Sequence, residues 1–214
     1  IGENLLYDGS IFLEDAGSFF TLPLRFDTDD WLITAGLTGA TLLMISADES
    51  IKDKVGRNTI SSFNQDFWDI GTSYGVVTYA NIFSAGVYTT GLLTGEDEIR
   101  VTGRLMLESL TYSGITVMII RYIAGRVRPY YNEGAWAFKG FNIDNEFQSF
   151  PSGHTVVAFA LSTVLAERID NIWARIGFYG LASITAFSRV YNNQHFFSDV
   201  IIGGLLGFGT GLYV

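Results

Sequence analysis

Charged positions are spread so unevenly along this sequence that they divide it into blocks. Trp31–Ala47 runs 17 residues without a charge, and Ile70–Gly95 runs 26. Leu105–Ile120 carries only Glu108, and the charge-free runs Thr155–Ala166, Ile176–Ser188 and Val200–Val214 follow. The pattern predicts six helices, several of them diluted by β-branched and glycine residues. Some are shorter than the roughly 20 apolar residues that cross a bilayer. Ahead of them, within residues 1–30, "NLLYDGSIFLEDAGSFFTLPLRFD" is amphipathic, a pattern that suits either a membrane surface or packing on the bundle. Trp31, Trp68 and Trp173 sit at run edges, where an interfacial aromatic belt places them.

Composition sharpens this picture. Hydrophobic residues reach 48% and charged residues only 16%, against roughly 25% charged in soluble domains. The balance favours a membrane-embedded all-α bundle, with a soluble exported bundle as the alternative. Without a linker, repeat or low-complexity block, residues 1–214 read as a single domain. A net charge of −9 argues against a nucleic-acid partner, which needs a basic surface. The lack of cysteine excludes disulfides, thiolate chemistry and cysteine–zinc sites. A sequence that opens at Ile1 is expected to lack its start methionine and any signal peptide.

Three stretches concentrate the polar residues that border apolar runs. In "RYIAGRVRP", Arg121 and Arg128 are seven apart, a spacing that puts both on one helical face, with Pro129 ending the element. Two guanidiniums facing one way form an anion clamp; a pair of surface arginines has the same spacing. In "FPSGHT", Pro151 suits a first helical turn, Ser152 can cap and Gly153 admits an anion to the backbone. His154 then faces that anion, although "PSG" by itself reads better as a plain capped helix with a structural histidine. In "SRVYNNQHFFSD", His195 and Asp199 are four apart, on one face if the turn forms. An aspartate beside an imidazole fixes its tautomer and stabilises its charged form. A buried pair without chemistry is the plain alternative.

Topology strengthens all three. If consecutive runs are antiparallel helices, Arg128, Pro151, Arg189 and His195 meet at one end of the bundle. The chain's two histidines and three arginines would form an anion-processing pocket there, with phosphate the natural guess. Positive-inside counting leaves orientation open: Arg100, Arg104, Arg168 and Arg175 mark one end, and Lys52, Lys54, Arg57 and Lys139 the other.

The three stretches together resemble the signature of the type 2 phosphatidic acid phosphatase superfamily, K-x6-R-P, P-S-G-H and S-R-x5-H-x3-D. That superfamily also includes class A acid phosphatases, glucose-6-phosphatase and vanadium haloperoxidases. The resemblance covers about residues 105–214, in family order and with family spacing inside each motif. Arg121 departs from it by standing where lysine is usual. The charge is kept but the donor geometry changes, which puts rate and substrate fit in question.

The resemblance implies a six-helix bundle and metal-independent phosphate removal, without cofactor, through a phosphohistidine. His195 would be the nucleophile, Asp199 its partner and His154 the general acid and then base. Arg121, Arg128, Ser152, the Gly153 amide and Arg189 would hold the phosphate oxygens. The expected substrate is a lipid phosphate: phosphatidic acid, phosphatidylglycerol phosphate, undecaprenyl diphosphate or lipid A. The expected location is the bacterial envelope, with the site facing the periplasm. A soluble periplasmic acid phosphatase and a vanadium haloperoxidase are the alternatives. Within the chain, Tyr130–Phe150 is expected to form an aromatic lid or a loop packed on itself. "VYNNQ" is expected to be a returning loop, and the aromatics beside His195 to shield the pocket from water.

Overall fold

A computed structural model describes residues 1–55, 68 and 71–214. Ile70, which opens the second charge-free run, and Arg57 lie outside these described residues. The fold is all-α. Among the described residues its main helices are α1 (Gly2–Phe20), α2 (Thr28–Val55), α3 (Val77–Thr94), α4 (Asp97–Ala124), α5 (Gly153–Arg168), α6 (Ile172–Tyr191) and α7 (Phe197–Tyr213), and residues 71–74 are helical as well. Short 3-10 turns lie at Leu22–Arg25, Pro129–Tyr131 and Asn145–Phe147. The six charge-free runs fall on α2–α7, and among the described residues the predicted count of six is exceeded by α1 and by the helical turn at residues 71–74, which belongs to the second run ahead of α3. A search for charge-free runs passes over α1 because Glu3, Asp8, Glu14 and Asp15 interrupt it.

The helix boundaries follow local chemistry. Left-handed glycines stop α3 at Gly95 (φ 78°) and α4 at Gly125 (φ 56°), the conformation that residue type adopts most cheaply. At the start of α6, the Asn171 side chain accepts the amides of Trp173 and Ala174, a standard cap.

Helix α5 is the hub. Its Leu161 and Val164 pack with Met106 and Leu110 of α4. On another side it meets a glycine stripe on α7, where backbones come too close for side chains. A Cβ on Gly207 would stand 2.3 Å from the Val156 carbonyl, and one on Gly203 would stand 2.8 Å from the Ser152 carbonyl. Small residues at such spacing let helices pack through their backbones.

Within residues 1–30, one face of the amphipathic segment packs on the bundle. Asp8 is buried and pairs with Arg100 at 2.6 Å while accepting the Tyr88 hydroxyl at 2.8 Å. The Tyr112 hydroxyl donates to the Phe12 carbonyl at 2.7 Å. One face of α1 therefore docks on α3 and α4, while Leu6 and Leu13 stay exposed.

Helix α2 is long and apolar enough to cross a membrane, and almost none of it is buried within the molecule. Leu32, Ile33 and Leu43 lie on its exposed surface, as do Met118 on α4 and Ile176 on α6. Trp31 and Trp173 are exposed at the end of the bundle away from the three motifs, as an interfacial belt requires. Trp68 packs with tilted rings against Phe187 (4.6 Å) and Tyr191 (5.7 Å) of α6.

Removing Asp8 leaves Arg100 with only the exposed Asp97 as acidic partner and the Tyr88 hydroxyl without its acceptor, so Asp8→Ala should cost about 1–3 kcal/mol. The expected result is a lower melting temperature, with α1 becoming cleavable by protease; unchanged melting and protection would contradict the docking role.

Candidate active site

Chain direction brings the three motifs together. Helix α4 ends where α5 begins, α6 returns to that end, and α7 departs from it. Around the meeting point lies a cavity of about 490 Å³ whose wall includes Arg121, Arg128, Gly153, His154, Arg189 and His195. Three guanidiniums and two imidazoles line it, with no acidic residue in its lining among the described residues. One side of it is apolar, formed by Val77, Gly114, Val117 and Met118 among others, with Val77 and Met118 themselves exposed.

Each residue arrives by its own route. Arg121 sits in the last turn of α4, with Nε donating to the Pro151 carbonyl at 3.0 Å. Arg128 does not share its helical face, contrary to the spacing argument, because Gly125 has already ended the helix. A Cβ at Gly125 would lie 2.5 Å from the Gly140 amide, and an extended segment pairs Arg126 with Phe138. Arg128 reaches the cavity from this segment. Its guanidinium is held by the Asn145 carbonyl (2.9 Å), the Asn145 side chain (2.9 Å) and the Gln194 carbonyl (3.4 Å). Burial pushes its pKa below the usual arginine range.

In the second motif, Pro151 precedes the helix instead of opening it, and Ser152 occupies the N-cap position. The Ser152 hydroxyl makes no cap bond and accepts from Thr155 at 3.0 Å. Ser152 is fully buried and stands behind the cavity lining. Gly153 matters sterically, since a Cβ there would meet Arg121 Nη2 at 2.9 Å. The first amides of α5, free of intrahelical partners, lie at the wall where Gly153 and His154 line the cavity.

In the third motif, α6 continues through Tyr191, so the connecting loop is shorter than "VYNNQ". The Arg189 carbonyl accepts the amides of Gln194 (3.0 Å) and His195 (3.2 Å), folding the loop back on the helix end. His195 precedes α7 rather than sharing a helical face with Asp199. Its Nδ1 lies 2.7 Å from the Ser149 carbonyl and 3.7 Å from Asp199 Oδ2. A carbonyl only accepts, so Nδ1 carries the proton and Nε2 keeps its lone pair. Burial lowers the His195 pKa to about 3, which leaves the ring neutral.

Asp199 lies behind the ring. Its Oδ2 accepts from Ser149 Oγ at 2.6 Å and from the Phe196 amide at 2.8 Å, and its Oδ1 accepts from Arg126 at 2.5 Å. Sequence reasoning missed Arg126, Ser149 and Asp48. Arg126 is fully buried and also donates to Asp48 at 2.8 Å. An acidic residue directly after the charge-free stretch of α2 was the available signal for Asp48.

The expected aromatic shield is not found: no aromatic residue lines the cavity among the described residues. Phe196 instead stacks on Arg126, 4.3 Å from its ring centre. From the Tyr130–Phe150 segment only Asn145 reaches the lining, and Trp136 and Phe141 point outward, exposed.

A family model described as the PAP2 superfamily matches residues 103–214, just over half of the chain. A lipid A 1-phosphatase of Porphyromonas gingivalis is 37% identical over 93 residues, covering 42% of this chain and 18% of the relative. A lipid A 1-phosphatase of Rhizobium johnstonii is 30% identical over 110 residues, covering 50% of this chain and 43% of the relative. The chain thus spans less than half the length of the curated relatives it matches. Among solved structures, the transmembrane PAP2-type phosphatidylglycerolphosphate phosphatase of Bacillus subtilis shares the fold. It superposes with a TM-score of 0.65 at 20% identity, covering 83% of this chain and 92% of the other.

Two outcomes are expected from this geometry. Gly153→Ala displaces the tip of a flexible side chain, so binding of inorganic phosphate should weaken by about tenfold with little change in melting; unchanged calorimetric affinity would contradict the placement of Arg121. His195 should remain neutral well below its ordinary pKa of about 6.5, read from its ring resonances. Between that value and about 3 only the unfolded chain takes up the proton, so this group's contribution to stability declines as pH falls through the window. A ring that titrates near its ordinary pKa would contradict the burial.

Proposed function

The chain belongs to the PAP2 superfamily, and on that basis we propose that it is a membrane-embedded phosphatase that removes phosphate from a lipid phosphate. The observation that carries this reading is the single cavity shared by His195, His154 and three arginines. Membrane embedding draws support from the exposed apolar faces of α2, α4 and α6. The whole of residues 1–214 is read as one phosphatase unit, with its site on the periplasmic side of a bacterial envelope. A lipid A-type phosphate is the leading substrate, by analogy with the relatives' names.

In the proposed reaction, Arg121, Arg128, Arg189 and the α5 amides hold the phosphate oxygens. His195 Nε2 attacks phosphorus, and the ester P–O bond breaks as a P–N bond forms. His154 gives a proton to the departing alkoxide. Burial and the neighbouring arginines lower the His154 pKa to about 4, and the negative charge of bound phosphate opposes that shift and so favours the protonated acid. Asp199 offsets the positive charge that His195 gains, with Ser149 steadying its Nδ1–H. His154 then takes a proton from water, which cleaves the P–N bond, frees inorganic phosphate and restores the Nε2 lone pair. Positioning and charge stabilisation supply most of the acceleration in such transfers, and Ser152 contributes by fixing the start of α5.

Phosphate release across a panel of lipid A, phosphatidylglycerol phosphate, phosphatidic acid and a water-soluble ester tests the reading. Turnover of at least one lipid in preference to the soluble ester is expected; turnover of the soluble ester alone would contradict it. His195→Ala should abolish release. His154→Ala should slow poor leaving groups most, by about 10²–10⁴-fold; equal losses for all esters would count against the acid role. Arg121→Lys should retain or raise activity.

A further inference from the structure

One buried cluster joins Asp199 to residues that do not line the cavity. Arg126 spends all five of its N–H donors. They reach the Ala135 carbonyl twice (3.0 and 2.7 Å), Ser198 Oγ (2.7 Å), Asp199 Oδ1 (2.5 Å) and Asp48 Oδ2 (2.8 Å). Asp48 completes a second arm, accepting the Ser198 amide (2.9 Å) and hydroxyl (2.6 Å). A carboxylate from α2 therefore caps the first turn of α7, the turn that carries Asp199. Asp48, Arg126, Ser198 and Asp199 are all fully buried.

From this geometry we infer that Asp48 and Arg126 are positioning residues for the His195–Asp199 pair, with Asp48 supplying the net negative charge. With both carboxylates ionised, the cluster of two carboxylates and one guanidinium keeps one negative charge behind the His195–Asp199 pair. Arg128, Arg189 and Arg121, with His154, face His195 across the cavity and oppose any positive charge on its ring. The surplus from Asp48 acts against them when His195 becomes cationic on phosphorylation. Without Asp48, Arg126 neutralises Asp199 alone, and the pair loses that surplus. Asp48 also shares the Arg126 fork, which leaves Asp199 Oδ2 turned towards Ser149, Phe196 and His195 instead of towards the guanidinium.

This inference rests on the phosphatase reading, so its test has one arm that does not depend on turnover. The full chain in detergent is compared with D48N, S198A, R126K and R126M. On a lipid phosphomonoester that the wild type turns over, D48N should lower kcat by at least about tenfold with KM within about threefold. R126K should retain more kcat than R126M. In spectra of protein labelled at its two histidines, D48N should shift the His195 ring signals and leave those of His154 in place.

A D48N kcat within about twofold of wild type, with unshifted His195 signals, would overturn the inference even if melting fell. Should D48N fail to fold, S198A decides: it removes one arm of the tie and keeps every charge. Its kcat should fall about threefold at constant KM, and an unchanged kcat would overturn the inference. If the wild type releases phosphate from no ester, the phosphatase reading fails, and the His195 signals alone judge the tie.

Discussion

The structure depends on a guanidinium sealed away from water. Arg126 has no solvent to satisfy it, so every donor must find an acceptor inside the protein. The acceptors come from three places far apart in sequence: Asp48 on α2, Ala135 in the segment after α4, and Ser198 with Asp199 on α7. Satisfying that one side chain fixes these elements against one another. Breaking such a cluster by removing one partner is far costlier than its net contribution suggests, because the remaining charges stay buried. Phe196 completes the seal by stacking on the guanidinium.

The fixed end of the bundle has a clear electrostatic layering. Three arginines face the cavity, a neutral imidazole stands at its wall, and the carboxylates lie behind the imidazole. This layering attracts an anion from the front, and in the proposed reaction it meets the positive charge on His195 from the rear. The Ser149 carbonyl sets which ring nitrogen keeps its lone pair. Geometry of this kind is prepared before substrate arrives, which is where preorganised sites gain their effect.

Much of this was legible in the sequence for a physical reason. In a chain so poor in charge, the polar residues that border apolar runs stand out, and antiparallel helices bring their ends together. His154, His195, Arg121, Arg128 and Arg189 were found that way, and all of them line the cavity. What stayed hidden depended on contacts across long separations. Asp48 and Ser198 are 150 residues apart, and no local pattern links them. Arg126 lay inside the first motif, yet spacing gave it no role, because its burial follows from Gly125 ending α4 one residue earlier. The same early stop explains why the seven-residue spacing of Arg121 and Arg128 suggested a shared face that does not exist. Helix α1 escaped the count because charge interrupts it, and one of those charges, Asp8, is what docks it.

The central claim is that His195 carries the phosphate during turnover. The most direct measurement is rapid quenching of the enzyme during reaction with a phosphate-labelled lipid, followed by peptide mapping. An acid-labile, alkali-stable phosphate on the peptide containing His195 is the predicted result. Steady turnover with no such adduct, or with the label on another residue, would contradict the account.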